Sequence, residues 1–423
     1  MPDPHSPSAR PEQGPAGNAT ASAGNATASA GNPTASAAIL DEFAIETGLA
    51  SRRPPRRYLW TDAFAVCGFL GLHTETRQRR YLDLALALID QVHHRLGRHR
   101  ADDPRSGWIS GLDERAGAEH PTAGGLRIGK AEPERMPGQA YDPRREWNRD
   151  GQYYHYLTRW MHALNRAWSV TRQDRYHRWA VELAGAAHRG FVQRSGGRPW
   201  IVWKMSIDLS RPLVHSAGQH DPLDGRTVVE TLRATAPDGA AAGNGVLDAE
   251  ATELDAMCRD RTWATDDALG IGGLLTDCLR LAQLRALGHP IDPDIEAAVF
   301  RDAKRSLLAY ADARLAIGSA EHRLAFRELG LAIGLHAAER VARDAIPLDE
   351  ARGDRLARRV AAALTEPGPM WRHAVRAQLP LAPQIEQFWM RAENRRAAAW
   401  TEHRDINAVM LAVSLTPDGY LDL

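Results

Sequence analysis

Four short stretches of the sequence set acids, bases and a tryptophan directly before an apolar run. They read "EWNRDGQYYHYL" from Glu146, "WTDAFAVCGFLGL" from Trp60, "WATDDALGIGGLL" from Trp263 and "WTEHRDINAVMLAVSL" from Trp400. In each, an Asp follows the Trp within two to five residues: Asp62, Asp150, Asp266 and Asp405. One Asp at such a place accepts the free N–H groups of a first helical turn and faces its positive end. Capping needs only one acid. Three of these stretches carry further charges: Glu146 and Arg149, Asp267, and Glu402 and His403. Carboxylates crowded at one place push at least one pKa up, and that is what a general acid requires.

A second concentration of polar groups is the stretch "WKMSIDLSRPLVHSAGQHDPLDG" over 203–225, with Lys204, Asp208, Arg211, His215, His220, Asp221 and Asp224. Pro212, Gly218, Pro222 and Gly225 fix its path, and long ordered loops usually carry function. The plainer alternative is a solvated loop whose Asp221 and Asp224 cap the next helix. His215, His220 and Asp221 have a spacing of five and one, which suits no standard zinc pattern, so no metal is expected. "GGLRIGK" is not a phosphate-binding P-loop, and no GxSxG, HExxH or GxGxxG occurs, so no cofactor is expected. His336 lies three turns into its helix and reads as a core histidine. Glu328, near the start of the same helix, is the better candidate for a site.

The elements that must position these groups are helices. "YLDLALALIDQVHHRL" (81–96), "RYHRWAVELAGAAHRGFV" (175–192) and "DIEAAVFRDAKRSLLAYADARL" (294–315) repeat apolar residues every three or four positions. Alternation of the strand type is scarce, except for a short hairpin expected near 198–210. The class is all-α. The helices are of two kinds. One is amphipathic; the other is nearly uncharged, rich in Gly, Ala and aromatics, and therefore buried on all sides. The Trp–Asp entries open the uncharged kind. Six such helices are expected, near 62–72, 150–170, 224–234, 267–287, 324–342 and 405–415.

Zero net charge over 423 residues argues against nucleic acid or an anionic membrane as the main partner. No apolar run is long enough for a membrane span. Three scattered cysteines and no readable secretory signal point to a reducing, cytoplasmic setting. Residues 1–37 contain the repeat AGNATAS, AGNATAS, AGNPTAS and are expected to be a disordered tail, with a single domain over 38–423.

Alternating buried and amphipathic helices opened by Trp and Asp resemble the six-hairpin, or (α/α)6-barrel, glycosidase superfamily and its sugar-epimerase relatives. The resemblance covers about residues 40–423 and is architectural. It implies a toroid of six helical hairpins with long loops at one end and a funnel at the N-terminal ends of the inner helices. There Trp60, Trp147, Tyr153 and Trp263 would stack on sugar rings. Asp62, Arg149, Lys204, His215, His220, Asp266, Asp267, Glu328, His403 and Asp405 would bind the hydroxyls.

The leading expectation is an inverting glycoside hydrolase, with Asp150 and Glu402 as acid and base, and Asp208 and Asp221 as substitutes. A sugar epimerase using His403 and a loop histidine, His220, is the alternative. A non-catalytic glycan-binding or scaffold protein is the third. The expected partner is thus a carbohydrate or another small polar molecule.

Overall fold

The computed structural model describes residues 31–194, 197–237, 241–313, 318–343 and 368–423. The helices in chain order are α1 (Pro33–Glu46), α2 (Leu59–Thr76), α3 (Arg79–Leu96), α4 (Glu114–Glu119), α5 (Pro143–Asn148), α6 (Tyr154–Thr171) and α7 (Asp174–Phe191). Then come α8 (Asp221–Ala234), α9 (Ala241–Cys258), α10 (Ala268–Ala286), α11 (Pro293–Ala313) and α12 (Ala325–Ala342). The last are α13 (Pro369–Arg376), α14 (Leu381–Met390), α15 (Ala398–Thr401), α16 (Arg404–Leu415) and α17 (Asp418–Leu421).

Helices α2, α6, α8, α10, α12 and α16 pack each on the next, and α16 returns to α2, closing an inner ring. Outside them lie α3, α7, α9, α11, the pair α13 and α14, and α1. The two kinds of helix in the sequence are these two rings. Every residue of α2 from Leu59 to Leu72 is buried, whereas α3 buries one face only.

The sixth hairpin is not made of consecutive helices. Its inner member is α16 and its outer member is α1, at the opposite end of the chain. This corrects the expected tail boundary at residue 37. Asn32 caps α1, its Oδ1 accepting the Ala35 N–H at 3.0 Å, and Pro33 supplies the fixed φ suited to a first turn. Ser36 then donates to the Ala412 carbonyl at 2.9 Å, so the small residues of the third repeat serve close helix packing. The earlier part of that tail, 1–30, lies outside the described residues.

Glycine lets the inner helices touch. A Cβ on Gly272 of α10 would lie 2.2 Å from the Gly330 carbonyl oxygen of α12, and one on Gly334 would lie 2.5 Å from the Gly272 Cα. Two hairpins also share a turn. Thr76-Arg77-Gln78 and Thr171-Arg172-Gln173 each end an inner helix with a left-handed Arg, at φ 59° and 57°. In both, the Thr hydroxyl donates to the carbonyl four residues back at 2.6 Å.

Among the described residues, five two- or three-residue strands decorate the loops: β1 (Gln152–Tyr153), β2 (Val192–Gln193), β3 (Trp200–Ile201), β4 (Lys204–Met205) and β5 (Pro212–Val214). The expected hairpin is shifted. β4 pairs antiparallel with β5 and β1, while β3 pairs with β2. At the C-terminal ends of the inner helices, residues 419–423 fill the ring. Arg166 donates to the Gly419 carbonyl at 3.1 Å, and Arg280 and Gln283 to the Leu421 carbonyl at 2.8 and 2.9 Å. No described helix is long and apolar enough to cross a membrane.

Candidate functional site

With one end of the ring filled, a cavity of about 190 Å³ remains open toward the other. All six inner helices contribute to its wall: Trp60 and Phe64 from α2, His155 and Arg159 from α6, Asp221 and Asp224 from α8, Thr276 and Asp277 from α10, Ile333 from α12 and Met410 from α16. Tyr420 forms part of its lining at the filled end and stacks on Phe64, ring centroids 4.6 Å apart.

Helix α8 is set by its first turn. His220 is the N-cap residue, Asp221 and Pro222 follow, and the two acids Asp221 and Asp224 sit at the positive helix end. Arg159 holds Asp224 with one guanidinium nitrogen, 2.9 and 3.1 Å from its two oxygens. Asp221 has no such partner. Its carboxyl lies where a Cβ on Gly218 would stand, 2.3 Å from Oδ2, so only glycine permits the approach. Its Oδ2 is buried and makes no hydrogen bond among the described residues. The nearest base is the His155 imidazole, Nδ1 3.8 Å from Oδ1. Burial, with the neighbouring Asp224 charge, pushes the Asp221 pKa up to about 7, against the pull of Arg159 and the Gly218 amide.

Asp277 is the tenth residue of α10, deep in the wall. Thr227 donates to its Oδ1 at 3.1 Å. Burial and the Asp224 charge hold its carboxyl well above the ordinary carboxylate range. His220 donates from Nε2 to the Trp263 carbonyl at 2.8 Å, which fixes its tautomer and leaves Nδ1 as the acceptor. Asp267 caps α10, accepting the Gly270 N–H at 3.0 Å, and pairs with Arg327.

Among the residues singled out in the sequence, the structure brings Trp60, His220, Asp221, Asp224 and Asp267 to this cavity. The others stand elsewhere. Asp150 is fully buried between β1 and the 127–130 loop, with Arg127 at 2.5 Å, Arg100 at 3.3 Å, and the N–H groups of Gly129 and Lys130 at 2.9 and 3.3 Å. It lies before β1 rather than at the start of α6. Glu402, expected as its partner, is exposed, as are His403, His215 and Asp266. Asp208 closes a turn onto Ser210 and pairs with Arg105 at 2.7 Å. Burial acts to raise its pKa, but hydrogen bonds from Ser210 and Ser206 bring it down to about 2.

Asp62 is buried in α2, accepts the Tyr58 N–H at 2.9 Å and faces Arg57 at 3.5 Å. Asp405 pairs with Arg56 at 3.3 Å. Glu328 is held by Arg323 and accepts the Trp389 indole N–H at 2.9 Å. His336 bonds Glu386 of α14 at 2.8 Å, as a core histidine would. Lys204 is buried, its ammonium donating to the Glu146 and Arg149 carbonyls at 2.5 and 3.0 Å, so it ties β4 to the end of α5. Arg149 itself is buried there. Trp263 is fully buried behind His220. Tyr153 is buried against His155 and Trp203, and Trp147 stands 59% exposed under the Lys130 ammonium.

The polar cavity groups outside that set are His155, Arg159, Thr276, Asp277 and Tyr420. A signal for two of them was present. Arg159 and Asp277 are charges within helices buried over most of their surface, and such charges need a partner or a task.

No family model matches the chain, and no curated protein matches it in sequence. Among solved structures it is similar to a sugar epimerase from a ruminal bacterium, at 10% identity and a TM-score of 0.40, over 73% of this chain and 76% of that one. A likeness at that level carries no argument about activity.

Proposed function

We propose that the chain is an acid–base enzyme acting on a carbohydrate in the axial cavity. The observation that carries this reading is Asp221, a buried carboxyl with an unpartnered oxygen in a cavity flanked by Trp60. Trp60 offers an apolar face to a sugar ring, and the surrounding carboxylates and Arg159 suit its hydroxyls. In glycoside hydrolysis, Asp221 gives its proton to the leaving oxygen as the C–O bond breaks. Asp224, held in place by Arg159, faces the positive charge that develops and takes the proton of the attacking water as its oxygen bonds to the sugar carbon. The expected Asp150 and Glu402 pair is replaced in this role, because neither lines the cavity.

A second reading rests on the two imidazoles. His155 and His220 line the same cavity, so removal and return of a proton at a sugar carbon, as in epimerisation, is the competing chemistry. A sugar panel separates the two. Hydrolysis releases new reducing ends; epimerisation in D2O places deuterium on a carbon, read by proton NMR. Asp221→Asn should lower the rate about 10²–10⁴-fold while the protein stays folded. Full turnover in that variant would remove the proposal.

A further inference from the structure

Four carboxylates line the cavity, and two of them have a cation. Asp224 is held by Arg159, and Asp267 by Arg327. Among the described residues neither Asp221 nor Asp277 forms an ion pair with a Lys or Arg. The groups that face them have been placed. From α6 come His155 and the Tyr154 phenol, and Arg159 is already engaged. Burial holds the His155 pKa down, so it stays neutral beside Asp221 near pH 7. The Arg261 charge reaches Asp221 only at longer range. Arg280, one turn along α10 from Asp277, is committed to the Leu421 and Asp422 carbonyls at 2.8 and 3.1 Å. Asp224 adds its negative charge to both.

We propose that the substrate carries a protonated amine, as an amino sugar does, and that its ammonium sits against Asp277 with Asp221 beside it. The proposal rests on the carbohydrate reading above and names the substrate class within it. A second observation points the same way: Asp221 Oδ2 is buried without a hydrogen bond among the described residues. A neutral hydroxyl donates one hydrogen bond, whereas an ammonium has three N–H groups, so it can donate to Asp277 and to an oxygen of Asp221 at once and supply Asp277 with the missing charge. The Thr227 hydroxyl fixes the Asp277 carboxyl in place. In the empty cavity Asp277 keeps its proton. The incoming ammonium favours the carboxylate, so the proton leaves to solvent and no other bond changes.

The test is calorimetric titration of the full chain at pH 7 with D-glucose, D-glucosamine and 6-amino-6-deoxy-D-glucose. The expected result is at least about tenfold tighter binding of an amine than of glucose. Repeating the titration in buffers of different ionisation enthalpy should show net proton release with the amine and none with glucose. That readout needs no variant, so it stands even if Asp277→Asn folds poorly. If Asp277→Asn folds, it should bind amine and glucose alike. Equal binding of amine and glucose to the native chain, or binding of the amine without proton release, overturns the inference and leaves the carbohydrate reading intact. A protein that binds none of the three overturns both.

Discussion

Asp150 and Asp221 are the same residue type, both buried, both beside the N-terminal ends of inner helices. Asp150 meets two guanidinium groups and two backbone N–H groups, so its oxygens are filled. Asp221 meets a neutral imidazole at 3.8 Å and a second carboxylate, and one of its oxygens is empty-handed. Burial is therefore not what separates a structural acid from a reactive one. Its partners are. A buried carboxylate that is fully paired is held in place; one that lacks a cation is free to exchange a proton near neutral pH.

Exchanging the two acids for amides should break the comparison most sharply. Asp221→Asn should lower turnover about 10²–10⁴-fold and leave the melting temperature unchanged or higher, because it removes an uncompensated buried acid. Asp150→Asn should do the reverse in kind. It strands Arg127 and Arg100 without their anion, and breaking a buried pair of this sort costs about 3–5 kcal/mol. Thermal melts would show it directly. An Asp150→Asn protein that melts normally and is inactive would reverse the roles assigned to the two residues.

The pH dependence gives a smaller and independent contrast. Asp221 has a folded-state pKa raised to about 7, above its unfolded value, so the folded state holds more protons. Its contribution to stability is complete at low pH and is lost as the pH rises through 7. Asp277 acts in the same direction. His336 carries a separate fall above pH 6.5, because hydrogen bonds to Glu339 and Glu386 outweigh its burial and raise it to about 9. Between about pH 4.5 and 7 the denaturant midpoint of the native chain should therefore fall relative to that of Asp221→Asn. Equal slopes in the two proteins would mean that Asp221 is ionised throughout.

The smallest effect belongs to the rim. Glu402 is exposed and outside the cavity. Glu402→Gln should change stability by no more than about 0.5 kcal/mol and leave the rate alone. A large loss of rate would bring the last inner helix entry back into the chemistry.

The Trp–Asp entries show how legible the molecule was. They fall near the starts of four inner helices, although only α10 takes a side-chain cap there, from Asp267, and α2, α6 and α16 have none. Charge periodicity separated the two rings, because an apolar helix must be buried on every side. The pairing of α1 with α16 was not legible, since nothing local in "NPTASAAILDEF" says which distant helix it will cover. Nor was the cavity. Trp60 points into it, but Trp147, under the same signature, stands out in solvent, and Trp263 is packed behind His220.

What the sequence determined by itself was therefore the periodic part: an all-α chain, six buried helices alternating with amphipathic ones, and acids at their entries. Those features depend on side-chain spacing along a single helix, which one sequence contains in full. The tertiary structure decided which acids do more than cap or pair. Arg127 lies 23 residues before Asp150, and Asp277 lies 50 residues beyond Thr227. Whether a carboxylate is neutralised, and so what its proton can do, is set by groups that only the closed ring brings within a few ångströms.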